Sequence, residues 1–197
     1  MEKRGLVNAL LAAGLTQASR WWHVDEMRFG LWGQVRRRWG RQGVKIVQPK
    51  QIVFAWQYLV LAVDVVRCEL HWNWTTRMNQ DQLVPVFAAW ALDATIWDGA
   101  AAHRGQRMGA LPFERIALPS YSPELNPPER IFEEIRREIE GEVYPSLRAK
   151  QLAIEHFLRQ LRADKARLRQ LIGWDWILAA YDQLLSLIHI SEPTRPY

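Results

Sequence analysis

From Val66 to Trp74 the chain alternates, with Val66, Cys68, Leu70, Trp72 and Trp74 apolar and Arg67, Glu69, His71 and Asn73 polar. Successive strand side chains point to opposite faces, so this period of two predicts a strand with one wet face. Ahead of it, Ile52 to Val63 is rich in β-branched and aromatic residues and predicts a longer strand, paired with its successor as a hairpin. Trp21 to Asp25 predicts the first strand. Asn79 is placed to cap a helix in which Leu83, Val86, Phe87 and Trp90 fall at i, i+3, i+4 and i+7, with Pro85 disturbing its first turns. Ala94 to Trp97 predicts a buried strand ending at Asp98, and Arg115 to Leu118 another short one. The latter leads into LPSYSPELNPPER, Leu118 to Arg130. Past Glu129, a helix buries Ile131, Phe132, Ile135 and Ile139 and closes at Gly141. Two further helices follow, near Ser146 to Leu161 and Asp164 to Leu184, with a break at Gly173.

This element order is that of a ribonuclease-H-like domain: an α/β fold with a mixed five-stranded sheet flanked by helices. In such a sheet the first and fourth strands are neighbours. Asp25 and Asp98 would then meet at adjacent strand ends, and Glu129 would approach from the following helix.

Composition narrows the chemistry. The chain has 197 residues, 49% of them hydrophobic, which is enough for one substantial core and argues against disorder. A single cysteine, Cys68, excludes an internal disulfide and a thiolate zinc site and fits a reducing compartment. The longest apolar run, Ile52 to Val63, is interrupted by Gln57 and falls short of the roughly 20 residues a membrane helix needs. Residues 1–20 predict a linker or remnant helix rather than a secretory leader, because Asn8 interrupts the apolar stretch. Residues 21–184 form the expected ribonuclease-H-like domain. From Leu185 to Arg195 the sequence LSLIHISEPTR resembles the translated end of a sequencing-library adapter, so residues 185–197 are treated as a non-native tail.

The net charge of +5 is modest, but its placement is informative. From Met27 through Val63 there is no acid, while Arg28, Arg36, Arg37, Arg38, Arg41, Lys45 and Lys50 are interleaved with Trp32 and Trp39. A phosphate-tracking surface has this composition, and so does an ordinary solvated basic face. A glycosidase with paired carboxylates would have no use for it.

Three carboxylates suit Mg²⁺, a hard cation that prefers oxygen ligands and keeps waters that phosphate oxygens can replace. Two such ions can serve both oxygens of an in-line phosphoryl displacement. Each acid also has a plainer reading. Asp25 and Asp98 can be strand-end turn formers. Asn126, Pro127, Pro128 and Glu129 fit a capping box with Asn126 as N-cap and Glu129 at N3. His103 can be an ordinary helix-start histidine, or it can orient a water or touch phosphate. Tyr121 and Ser122 shape the proline-rich loop.

The blocks WHVDEMRFGLWG, IWDGAAAHRG and LPSYSPELNPPERIFEEIRRE resemble the three signature blocks of DDE transposases, in particular the bacterial insertion sequence 630 branch of the mariner-like superfamily. The resemblance covers Trp21 to about Tyr181. It implies a metal-binding catalytic triad of Asp25, Asp98 and Glu129, supported by Asn126 and Pro127, and two Mg²⁺ or Mn²⁺ ions. It further implies cut-and-paste transposition at transposon ends and target, a homodimer on double-stranded DNA, and a bacterial, cytoplasmic, nucleoid-associated protein. His103 and Arg104 of the second block join the basic window as expected DNA contacts. The family carries helix-turn-helix modules upstream, so recognition of the ends is expected from such a module or from a second reading-frame product. The competing expectation is a catalytically inactive or domesticated fragment that only binds DNA or a partner transposase. Another ribonuclease-H-like nuclease, such as a resolvase, would share the metal logic without the proline-rich block.

Overall fold

The computed structural model describes residues 19–33, 39–90, 92–118 and 125–191, together with Asn8 and Ala12. The expectation for residues 1–20 therefore lies mostly outside the described residues. Five strands, β1 (Trp21–Gly30), β2 (Trp56–Asp64), β3 (Glu69–Thr75), β4 (Ala94–Trp97) and β5 (Glu114–Ala117), form one sheet in the order β3-β2-β1-β4-β5. β1 is antiparallel to β2 and β2 to β3, whereas β1 is parallel to β4 and β4 to β5. The helices are α1 (Gln80–Trp90), α2 (Gln106–Gly109), α3 (Pro128–Ile139), α4 (Leu147–Ala163), α5 (Lys165–Ile172) and α6 (Asp175–Ser191), with a single-turn 3-10 segment at Ala101–His103. α6 thus includes residues 185–191 of the tail set aside above.

The sheet is covered on both faces, which is why β2 is buried continuously from Leu59 to Asp64 instead of alternating. β1 divides its apolar side chains by the strand period: Trp21, Met27 and Phe29 join Ile131, Phe132 and Ile135 of α3 and the inner faces of α4, α5 and α6. Trp22 and Val24 join Leu83, Val86 and Phe87 of α1, with Met108 and Phe113, on the other face. The apolar stripe expected of the helix after Glu129 is buried as the 3.6-residue period requires. Ser146 caps α4 through Ala149 N, 3.1 Å from its hydroxyl, and Asp164 caps α5 through Arg167 N at 2.9 Å.

Three strand boundaries differ from the sequence reading by three residues or more. β1 does not stop at Asp25. Its pairing with β2 runs unbroken from His23 opposite Val63 to Gly30 opposite Trp56, carrying Met27 and Phe29 into the core. β2 begins at Trp56 rather than Ile52, and Ile52 and Phe54 are exposed. The last pair of the ladder, Gly30 opposite Trp56, needs a residue without a side chain, because a Cβ on Gly30 would sit 2.3 Å from the Trp56 ring. Beyond that point Leu31 N bonds to Ala55 O at 3.1 Å and Gly33 N to Gln51 O at 2.8 Å, holding the base of an exposed arm, residues 39–55. β3 begins at Glu69, since residues 65–68 turn, with Cys68 at φ 51° and Arg67 bonded through its backbone N and side chain to the Asp64 carboxylate.

α6 is fastened to β1 by Tyr181. Its hydroxyl lies 2.6 Å from His23 Nε2, and its ring stacks on Trp21 at 5.2 Å. Burial lowers the His23 pKa to about 3, so the ring is neutral, and burial raises that of Tyr181. Tyr181→Phe leaves a fully buried imidazole nitrogen unsatisfied and is expected to cost about 1–3 kcal/mol. Thermal melting of the variant should show a fall of roughly 2–4 °C per kcal/mol. An unchanged melting temperature would refute this anchor.

Candidate active site

The parallel register that sets Trp21 against Ala94 and His23 against Ile96, carried two residues further, sets Asp25 level with Asp98. β4 ends at Trp97, so the outer half of β1 continues without a β4 neighbour. Open α/β sheets place ligands in such a crevice, outside the carboxyl ends of their strands.

Asp25 faces the α3 side. Its Oδ1 accepts from Glu26 N at 2.8 Å, and its Oδ2 accepts from Asn126 Nδ2 at 3.0 Å. Burial, followed by the charges of Glu26 and Glu129 and more weakly of Asp98, raises its pKa to about 8 despite the backbone bond. The charges of the other two acids named by the sequence therefore reach Asp25, together with that of a fourth, Glu26.

Asn126 does not cap α3, contrary to the capping-box reading. The cap position is taken by Pro127 at φ −54°, ψ −35°, with no side-chain bond, and Glu129 N bonds to the Asn126 carbonyl at 3.1 Å. Pro127 and Pro128 bring no N–H and preset φ, so the first turn forms with fewer donors to satisfy. The Asn126 amide, 3% exposed, instead donates to Asp25 and, at 3.4 Å, to Val24 O. Glu129 stands in the first turn of α3, with Arg136 at 3.9 Å.

Asp98 follows β4. Its Oδ1 accepts from Ala100 N at 3.1 Å and lies 3.3 Å from His103 Nδ1. The His103 hydrogen bond, opposed by burial, holds its pKa below the usual carboxylate value. His103 was expected among DNA contacts, yet it is only 5% exposed. Its ring lies flat on Trp97, centroids 4.5 Å apart and planes at 6°, and its Nε2 is 3.0 Å from Glu26 Oε1. Burial works to lower its pKa, but the hydrogen bonds to Asp98 and Glu26 prevail and lift it to about 10.

Glu26 is the residue that sequence reasoning missed. The signal was present: next to Asp25 on a strand it must face the opposite side, and an acid between buried Val24 and Met27 requires a partner.

Among the described residues, no three Asp, Glu, His or Cys side chains are gathered closely enough to hold an ion as they stand. Each carboxylate is turned onto a protein partner: Asp25 onto Asn126, Asp98 onto His103 and Glu129 onto Arg136. The donor set nevertheless suits a hard divalent cation. It is all oxygen, and Asp25 is pressed by three neighbouring carboxylates whose repulsion a cation would relieve.

Arg28 is exposed, with its guanidinium 4.2 Å from the Trp56 ring centroid, and Arg104 is exposed beside Gly99. Arg28, Arg136 and Lys150 line one cleft along the outer half of β1. Arg41, Lys45 and Lys50 lie on the arm with fully exposed Trp39, while Trp32 is half-buried against Phe54. Arg36, Arg37, Arg38, Tyr121 and Ser122 fall outside the described residues.

No protein-family model matches the chain, and no curated protein matches it. Among solved structures, the catalytic domain of Mos1 mariner transposase superposes with a TM-score of 0.54 at 14% identity, over 94% of this chain and 89% of that one. The Mos1 transposase paired-end complex with left transposon end gives 0.61 at 13% identity, and the paired-end complex with Mg gives the same values. Each covers 94% of this chain. The chain spans 60% and 61% of those longer proteins, respectively. The mixed sheet with flanking helices is thus the ribonuclease-H-like fold of transposase catalytic cores.

Proposed function

We propose that this chain is the catalytic domain of a DDE transposase of the mariner-like superfamily, in its bacterial insertion sequence 630 branch, cutting DNA at element ends and joining it to a target. The observation that supports the reading is that Asp25 and Asp98 stand at the open end of the β1–β4 pair, where the charges of Glu129 and, more weakly, Asp98 act on Asp25. Asp25, Asp98 and Glu129 would hold Mg²⁺ or Mn²⁺. Two such ions, when bound, supply activation of an attacking oxygen and stabilisation of the leaving one.

The remaining work falls to the chain's own groups. Asn126 and the Glu26 amide orient the Asp25 carboxylate, which gives up its proton when a cation is taken up. Arg28, Arg104 and the lysines and arginines of the arm supply positive charge for phosphates. Mos1 transposase, similar in fold, is seen with a transposon end, which supports double-stranded DNA as the substrate here. The arm exposes Trp39, Val47, Ile52 and Phe54, an apolar surface suited to a second copy, and this favours a homodimer on DNA.

The test is nicking and strand transfer on element-end duplexes by the full-length protein in Mg²⁺ or Mn²⁺. Asp98→Ala is expected to lower the rate by at least about 10²-fold, the scale of losing one strong electrostatic stabiliser. Activity unchanged in this variant would sink the triad. DNA binding by the wild type without any metal-dependent cleavage would favour the binding-only reading.

A further inference from the structure

We infer that Glu26 and His103 form a positioning pair that aims the Asp98 carboxylate at the divalent ion. The inference rests on the proposed function and adds two residues to it. The strand period sends Asp25 and Glu26 to opposite faces of β1, so Glu26 reaches the site from the α1 face. Its side chain is 6% exposed and that of His103 is 2% exposed. A buried ion pair contributes little net stability compared with an apolar pair of similar volume, so stability alone gives no reason for one here.

The geometry around the imidazole supplies the reason. Trp97, the last residue of β4, fixes the ring plane by stacking. With the plane fixed, Nε2 meets Glu26 Oε1 at 3.0 Å, and Nδ1 meets Asp98 Oδ1 at 3.3 Å and Asp98 O at 3.4 Å. Asp98 itself follows the strand end with its side chain 57% exposed, and unassisted it would turn freely. His103 and Ala100 N both engage Oδ1, which sets the carboxylate plane and leaves Oδ2 for an outside ligand. Glu26 is two steps from the ion in this scheme: it holds the ring, and the ring holds the ligand. Partners of this kind typically change metal affinity by about 10–100-fold when removed.

Two near-isosteric variants of the full chain separate positioning from packing. Glu26→Leu keeps the volume and removes the acceptor, whereas Glu26→Gln retains an oxygen for Nε2. Calorimetric titration with Mn²⁺ alone is expected to show Glu26→Leu binding about tenfold more weakly than the wild type, and Glu26→Gln within about threefold of it. As a second measurement on the wild type, Mg²⁺ should shift the His103 ring nitrogen resonances, and Asp98→Asn should remove that response. Equal affinities for the wild type and Glu26→Leu, equal losses in both Glu26 variants, or a His103 ring indifferent to Mg²⁺ would each overturn the inference while leaving the proposed function intact. A wild type that binds no Mn²⁺ would overturn both.

Discussion

Asp25→Asn is expected to stabilise the ion-free chain at alkaline pH while abolishing its divalent-cation binding. The Asp25 pKa is raised from 3.8 to about 8 by burial and by Glu26, Glu129 and Asp98. Between those values the folded chain keeps a proton that the unfolded chain releases. Asp25 therefore costs nothing below pH 4, costs progressively more as pH rises, and exerts its full cost above about pH 8. Asparagine never ionises. Its amide can be met by Asn126, whose Oδ1 has no hydrogen-bond partner among the described residues and can be turned toward it. The gain at pH 9 should be on the order of 5 kcal/mol, or roughly 10–20 °C in melting temperature.

At pH 4 the two proteins should melt alike. His103, with its pKa lifted to about 10, contributes stability that is complete below pH 6.5 and lost as pH rises through 10, but it does so in both proteins and cancels. Saturating Mn²⁺ should raise the melting temperature of the wild type and leave the variant unmoved. Differential scanning fluorimetry at the two pH values, with and without Mn²⁺, reads all four quantities. A variant no more stable than the wild type at pH 9 would contradict the electrostatic account of the site.

The second large effect separates function from folding in the opposite way. Glu129→Gln should lower metal-dependent DNA cleavage by at least about 10²-fold. Melting should move little, because the side chain is 36% exposed and its ion pair, Arg136 at 3.9 Å, is long. Changes of this kind at exposed positions usually fall within about 0.5 kcal/mol. Glu129 caps no helix here, so a stability loss cannot explain a loss of activity. A variant that cleaves at the wild-type rate would remove Glu129 from the ligand set.

The sheet was legible in the sequence wherever a local pattern and a tertiary need coincided. The alternation around Leu70, the buried run at Ala94 to Trp97 and the stripe through Ile131 and Ile135 each describe a surface that must be covered, and each is covered. The adjacency of β1 and β4, the strands that carry or precede Asp25 and Asp98, followed from the expected strand order. What escaped was decided by partners distant in the chain. Ile52, Val53 and Phe54 read as strand because they are apolar and β-prone, yet they are exposed and pair with no strand among the described residues. β1 seemed to end at Asp25 because two acids interrupt its apolar run, although Met27 and Phe29 continue its period. Asn126 fits a capping box by local spacing, but a carboxylate 101 residues away takes its amide. The Glu26 to His103 bond spans 77 residues, and no local pattern announces it.

The placement of Asp25 and Glu26 side by side on β1 makes the alignment of a hairpin part of the chemistry. A slip of one residue between β1 and β2 would exchange the two acids across the sheet, putting the glutamate toward Asn126 and the aspartate toward His103. The chain would keep its composition and nearly all its backbone bonds and would lose the site. Gly30 guards against that error. Only a residue without a Cβ fits against the Trp56 ring, and the slipped frame would drive Phe29 or Leu31 into that space.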